Sequence, residues 1–89
     1  MSADARTTLR QMLERFVRGE DQSLRFANEI EGLVLSQFRE AEFFEELSYD
    51  LATYRPGGGD YLTDEKELAR KFRYFLAGPL ADSAGGPPR

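Results

Sequence analysis

Carboxylates are the side chains of this 89-residue chain whose number and spacing most clearly point to chemistry. From Glu40 to Glu67 the sequence has nine acidic residues and two basic ones, Arg55 and Lys66, so this acidic segment carries a net charge of −7. The whole chain carries −4, which leaves +3 for the residues outside the segment. A charge of one sign concentrated in this way predicts a partner of the opposite charge.

The chain contains no histidine and no cysteine. It therefore lacks the usual acid–base side chain of neutral pH, the thiolate nucleophile and the cysteine ligands of zinc sites. Adjacent carboxylates such as Glu45 and Glu46 can do acid–base work, but no nucleophile or oxyanion donor set accompanies them. The sequence thus indicates a binding protein and not an enzyme.

A second group of acidic residues follows the glycine run at 57–59. Its members lack the spacing of a calcium-binding loop, and the glycines lack the Gly-Lys-Ser/Thr sequence and the preceding strand of a phosphate-binding loop. We expect no metal site and no cofactor. The glycines instead predict a flexible connection that lets Asp60 and Tyr61 adapt to a partner.

Apolar residues recur at helical spacing in four stretches, and strict alternation never lasts long enough to indicate a strand. Glycine or proline ends three of the helices, whereas the boundary between the second and third helices has neither, so these two could form one bent helix. Gly32, inside the second helix, predicts a close helix crossing. The first predicted helix covers residues 4–18 and the third covers 40–54. The second runs from a cap at Asp21 or Ser23 to Phe38, and the fourth runs from Thr63 or Asp64 to the stop at Gly78-Pro79.

Short connections between amphipathic helices favour packing in chain order. The predicted fold is all-α: a single-domain antiparallel four-helix bundle over residues 1–79. The small, glycine- and proline-rich residues 80–89 predict a flexible, disordered tail.

On the third predicted helix, Glu42, Glu46 and Asp50 fall along one side and form an acidic stripe. One interpretation is a solvated face that keeps the protein soluble; the other is a docking surface on which carboxylates imitate nucleic-acid phosphates. Basic residues of the first and last helices, Lys71 among them, are interpreted as ordinary solvated positions. Further contact residues predicted beside the stripe are Glu45, Tyr49, Asp60, Tyr61 and Asp64, whereas Tyr54 is predicted on the buried face of the third helix.

The sequence has no apolar run of about 18 residues and no apolar leader segment, so a cytoplasmic protein is the default expectation. Its pI of about 4.8 argues against direct nucleic-acid binding. We expect a monomer or weak dimer with a basic protein as its partner.

Three stretches resemble the colicin D-type bacterial immunity proteins. The first is Leu9-x-x-x-Leu13-x-x-Phe16-Val17-x-Gly19-Glu20, with Phe26 after a polar turn. The second comprises Phe44-Glu45-Glu46-Leu47 and Asp50-Leu51-Ala52-Thr53-Tyr54-Arg55-Pro56. The third is Leu62-Thr63-Asp64-Glu65-x-x-Leu68, and together the match spans residues 9–76. The glycine-rich linker and the segment between Phe26 and Glu42 depart from that family's pattern.

The resemblance implies a four-helix protein whose acidic surface covers the basic, RNA-binding active site of a tRNase-like toxin. The leading expectation is thus a cytoplasmic immunity protein that acts by occlusion. The alternative is a helical adaptor or regulatory module, without a toxin partner, that pairs with another helical domain or with itself through apolar and mixed-charge faces.

Overall fold

In the computed structural model, which describes residues 2–60 and 62–80, the chain forms four α-helices. The described residues contain no β-strand, only an isolated bridge between Tyr54 and Thr63. The prediction of an all-α single domain is confirmed. The helices are α1 (Ser2–Val17), α2 (Leu24–Gln37), α3 (Phe44–Ala52) and α4 (Glu65–Ala77).

Helix α1 lies at the centre of the packing. It packs against both α2 and α4, and α2 in turn packs against α3. Packing in chain order therefore holds for the first three helices, but the main neighbour of α4 is α1. A hydrogen bond of 2.8 Å from the Arg6 guanidinium to the Pro79 carbonyl joins the start of α1 to the turn after α4.

The core is rich in aromatic residues and centres on Phe16. The Phe16 ring meets Tyr54 edge-on at 5.4 Å and Phe72 edge-on at 5.0 Å, so it joins α1 to α4 and to the segment after α3. Such edge-to-face pairs contribute about 0.5–1.5 kcal/mol each beyond the burial of their area. The buried apolar residues are Leu9, Leu13, Phe16, Phe26, Ala27, Ile30, Val34, Phe43, Leu47, Leu51, Tyr54, Leu68, Ala69, Phe72, Phe75 and Leu80.

The last residue of that set corrects the predicted tail boundary. Leu80 is fully buried, and its N–H donates to the Phe75 carbonyl at 2.7 Å. The chain therefore still belongs to the domain at residue 80, because the turn after α4 carries an apolar side chain back into the core. The rest of the predicted tail, residues 81–89, lies outside the described residues.

Helices α2 and α3 are separate, and α3 starts four residues later than predicted. The chain between them forms tight turns in which Ala41 N–H donates to the Phe38 carbonyl and Phe44 N–H to the Ala41 carbonyl. Phe38 and Phe43 would lie far apart around one continuous helix. The turns bring their rings to 5.8 Å, and Phe43 also meets Phe75 at 6.0 Å. Burial of these rings explains the break.

The loop between α3 and α4 is held by hydrogen bonds, contrary to the expected flexible linker. Arg55 N–H donates to the Thr63 carbonyl at 2.9 Å, Thr63 N–H donates to the Thr53 carbonyl at 3.0 Å, and the two threonine hydroxyls lie 2.9 Å apart. Gly57 N–H donates to the Glu65 carboxylate at 2.9 Å, and this hydrogen bond lowers the Glu65 pKa. These contacts also end α3 at Ala52, two residues earlier than predicted.

Gly19 and Gly32 affect their helices differently, since Gly19 ends α1 and Gly32 lies within α2. Gly19 has φ +81° and terminates α1: its N–H donates to the Phe16 carbonyl, and Glu20 N–H donates to the Arg15 carbonyl, a Schellman motif. Gly32 is exposed within α2, and a Cβ there would meet nothing within 4 Å. The predicted close helix crossing at Gly32 is therefore wrong.

Gly32→Ala is expected to raise the free energy of unfolding by about 0.5–1 kcal/mol, because alanine has the higher helix propensity and the site has room for a methyl group. Gly19→Ala is the matched control and should lower it by about 1 kcal/mol, since its left-handed backbone disfavours a Cβ. Urea unfolding measures both. A destabilised Gly32→Ala variant would contradict the open environment described for this residue.

Tyr54 is a core residue, as predicted from its place on the buried face of the third helix. Its side chain is fully buried, and its hydroxyl donates to the Gln22 carbonyl in the turn between α1 and α2. Burial, with smaller contributions from the charges of Glu65, Asp64 and Asp21, raises the Tyr54 pKa from 10.0 to about 12.

Because the folded state holds the Tyr54 proton more tightly than the unfolded state, this stabilisation is complete below pH 10 and is lost as pH rises toward about 12. Tyr54→Phe should therefore show a smaller loss of stability between pH 9 and 11.5 than the wild type. At neutral pH it should be less stable by about 1–2 kcal/mol, since the Gln22 carbonyl loses its donor. Urea unfolding across this pH range tests both effects, and Tyr49→Phe, at an exposed tyrosine, should change neither.

Candidate functional site

Helix α3 presents its first turn to solvent as a cluster of carboxylates. Glu45 and Glu46 occupy that turn, where the positive end of the helix dipole favours negative charge. Phe43 stands at the N-cap and supplies no side-chain hydrogen bond. The sequence thus places acidic residues at a helix end that lacks a polar cap.

The predicted acidic stripe is not a single row along α3. Glu42 precedes the helix, in the turn that allows Phe43 to reach the core, so helical spacing does not relate it to Glu46. Glu42 is nevertheless exposed. Together with Glu45, Glu46 and Tyr49, which are also exposed, it forms what we call the acidic surface.

Tyr49 is the large side chain of this surface. It is 67% exposed, and it follows Glu45 by one helical turn on α3. Tyrosine provides contact area with little conformational freedom to lose, and for this reason it is common in protein interfaces. The acidic surface thus combines charge with an aromatic side chain that the core does not use.

Asp50, predicted as an exposed member of the stripe, is buried. Its side chain is only 8% exposed, and Oδ2 lies 3.8 Å from the Lys71 ammonium of α4, which also lies 3.5 Å from Glu46 Oε2. Oδ2 accepts no hydrogen bond from any described residue. Burial raises the Asp50 pKa against the opposing charge of Lys71, while the charges of Glu46 and Glu67 raise it further.

Lys71 therefore partly neutralises the stripe, a role that sequence analysis missed. On the sequence, Lys71 is separated from Glu46 and Asp50 by more than twenty residues, and its place on α4 does not reveal the helix that it faces. The sequence signal was indirect: Asp50 shares the helical side of Glu46 but borders the apolar face of Leu47 and Leu51, both of which are buried.

The remaining predicted contact residues lie beyond α3. Asp60 is exposed in the loop that the Thr53–Thr63 contacts hold in place. Asp64 is the N-cap of α4 and accepts a hydrogen bond of 2.8 Å from Glu67 N–H, so its carboxylate already has a structural partner. Tyr61 lies outside the described residues.

Two shallow open grooves run beside α4, and residues of the acidic surface line neither of them. Lys66 and Arg73 border both grooves, so the sides of α3 and α4 that face solvent differ in charge. The described residues include no cluster of three or more potential metal-ligating side chains. Within residues 2–60 and 62–80, no helix has the length and apolar character needed to cross a membrane.

Comparisons of the chain with protein-family models, curated protein sequences and solved structures gave no match.

Asp50→Asn is expected to raise the free energy of unfolding at pH 7 by about 1 kcal/mol, since the amide removes a buried charge and gives up only one long contact. The raised pKa means that the wild-type carboxyl is protonated first in the folded state as pH falls. The stability that the wild type loses through its buried charge, and with it the greater stability of Asp50→Asn, should disappear below the ordinary pKa of 3.8.

Urea unfolding at pH 7 and pH 3.5 measures this difference. Glu46→Gln removes a charge from the same pair of carboxylates at an exposed position and serves as the matched control, with an expected change within about 0.5 kcal/mol. An Asp50→Asn variant that is strongly destabilised at pH 7 would show that Lys71 stabilises the buried carboxylate more than burial penalises it.

Proposed function

We propose that this protein is a cytoplasmic immunity protein, which binds a basic bacterial nuclease domain and covers its RNA-binding active site with the acidic surface. The observation that carries the proposal is the exposure of Glu42, Glu45 and Glu46 at the start of α3, with Tyr49 one turn later. None of these four side chains belongs to the buried core.

The charge distribution supports a cationic partner. Exposed carboxylates of one sign raise the rate of encounter with a basic protein and favour one orientation of approach. Lys71 forms an ion pair with Glu46. Glu42 and Glu45 have no ion pair with a described residue. Their charge is therefore available to a partner.

The action proposed is occlusion and not catalysis. Glu45 and Glu46 of α3, with Glu42 in the turn before it, occupy the positions that RNA phosphates would take on the nuclease, and Tyr49 provides an aromatic contact near them. Hydrogen bonds hold the loop that carries Asp60, and an ordered loop loses less conformational freedom on binding than a flexible one. Asp60 can thus extend the acidic surface toward the nuclease.

The class of partner comes from the resemblance to the colicin D-type immunity proteins. A nuclease that cleaves tRNA must bind phosphates, so its active site presents the positive charge that the acidic surface requires. The four-helix fold is the fold that the resemblance implies. A basic nuclease domain encoded beside this protein is the partner to examine first.

Replacing Glu42, Glu45 and Glu46 together by lysine is expected to weaken binding to such a domain by at least 100-fold, since three attractive charges become repulsive. These side chains are exposed, so the variant should keep its helical circular dichroism spectrum. Isothermal titration calorimetry measures the affinity. A control with the same change in net charge reverses Glu14, Glu29 and Glu31, which lie on α1 and α2, and should weaken binding far less.

Salt gives a second measurement. Association of the wild type should become slower as ionic strength rises from 50 to 500 mM, because salt screens the attraction between the two surfaces. Binding that is insensitive both to salt and to the triple reversal would contradict the proposal and would favour an adaptor that binds through apolar side chains.

A further inference from the structure

We infer that Glu46 and Asp50 form a binding site for one guanidinium group of an arginine on the basic partner, and that Lys71 occupies this site in the free protein as an internal competitor. The inference rests on the proposed function for the identity of the partner. The chemistry of the site follows from α3 and α4 alone.

The first observation is the buried carboxylate of Asp50. Its side chain is 92% buried, and within residues 2–60 and 62–80 no group donates a hydrogen bond to Oδ2. Buried polar atoms in folded proteins nearly always have a hydrogen-bond partner, since an unsatisfied one retains the full cost of losing water. Asp50 Oδ2 is therefore an acceptor without a donor, and because it is buried beside Lys71, a donor from the partner reaches it only when the Lys71 side chain moves aside.

The second observation is the position of Lys71. Its ammonium lies 3.5 Å from Glu46 Oε2 and 3.8 Å from Asp50 Oδ2, whereas charge-assisted hydrogen bonds are about 2.7–2.9 Å long. The Lys71 side chain is 40% exposed and has a flexible stem. Lys71 thus neutralises both carboxylates without satisfying the acceptors, and it can move into solvent.

A guanidinium group suits these two carboxylates better than an ammonium group. It is planar, carries five N–H donors in a fixed arrangement and is only weakly hydrated, so it can enter a partly buried position. Glu46 and Asp50 are one helical turn apart, and side chains at this spacing are neighbours about 5–6 Å apart at Cβ. One guanidinium can therefore donate to both carboxylates, including the unsatisfied Asp50 Oδ2.

Competition with Lys71 then restricts which ligands bind at the site. A ligand must displace the ammonium, and only a ligand that satisfies Asp50 Oδ2 gains hydrogen bonds in the exchange. A simple monovalent cation that displaces the ammonium only replaces one point charge by another and gains no hydrogen bond. Negative charge alone attracts any cation, and the competition with Lys71 adds a preference for arginine.

The test uses N-acetyl-arginine amide as the probe, with N-acetyl-citrulline amide as its uncharged isostere. Each is titrated into the full chain at pH 7 and constant ionic strength, while carbon-13 NMR follows the side-chain carboxylate resonances. The arginine probe should shift the resonances of Asp50 and Glu46 in a saturable manner. The citrulline probe should leave both unchanged.

Variants of α4 test the competition. Lys71→Gln should bind the arginine probe at least threefold more tightly than the wild type. Lys66→Gln is the matched control, because it removes the same charge from α4 at a residue without an ion pair to either carboxylate, and it should leave the affinity within twofold. Asp50→Asn should lose the saturable shift of Glu46.

Lys71→Arg gives an independent result if Lys71→Gln fails to fold. Its own guanidinium should fill the site, so the Asp50 resonance should move toward the position that the probe produces in the wild type, and the probe should bind at least threefold more weakly. Equal probe affinities for the wild type, Lys71→Gln and Lys71→Arg would overturn the inference, as would an unaltered Glu46 shift in Asp50→Asn.

The probe titrations need no nuclease, so they separate this inference from the proposed function. Probe binding with the predicted dependence on Lys71, but no binding to any basic nuclease domain, would support the arginine site and count against the immunity function. A nuclease domain that binds the wild type and Asp50→Asn equally well would support the function and overturn the arginine site.

Discussion

The contact of the Phe16 ring with Tyr54 and Phe72 is the interaction on which the rest of the structure depends. Through it, the central helix α1 fixes both α4 and the end of α3. The Tyr54 hydroxyl then ties that end to the Gln22 carbonyl, in the turn between α1 and α2. Tyr54 thus anchors the chain just after α3 and the buried Phe43 anchors the start of α3, while Glu45 and Glu46 lie on the solvent side of its first turn.

The periodic apolar residues were enough to predict the number and the approximate positions of the helices. A glycine at a helix end was also a reliable local signal, since Gly19 ends α1. The start of α3 was predicted wrongly. It depends on the burial of Phe43, whose ring meets both Phe38 and Phe75, a residue of another helix. Helical periodicity cannot report such a tertiary contact.

The same limit applies to the site. Sequence spacing placed Glu46 and Asp50 on one side of a helix, but it could not show that Lys71 faces them from α4. The glycines at 57–59 suggested a flexible linker, whereas the threonines on either side hold the loop by hydrogen bonds. In the first case a residue of another helix decided the outcome, and in the second case it was a contact across the loop itself, between residues 10 positions apart.

Asp50 illustrates how a site can reduce the stability of the fold that contains it. Burial disfavours its charge, and Lys71 compensates for only part of that cost. Residues selected for stability alone would place a neutral side chain beside Leu47 and Leu51. Retention of an ionised group in such a place is common where binding requires a charge, and function then limits stability.

The packing of α4 against α1 has a consequence for how the protein folds. These helices lie at opposite ends of the described chain, and the Arg6–Pro79 hydrogen bond spans nearly all of it. Contacts between residues so distant in sequence slow folding, since the intervening chain must first be brought together. During synthesis, α1 leaves the ribosome first and α4 last. The core around Phe16 can therefore close only after α4 has emerged, and the acidic surface takes its final form at the same time.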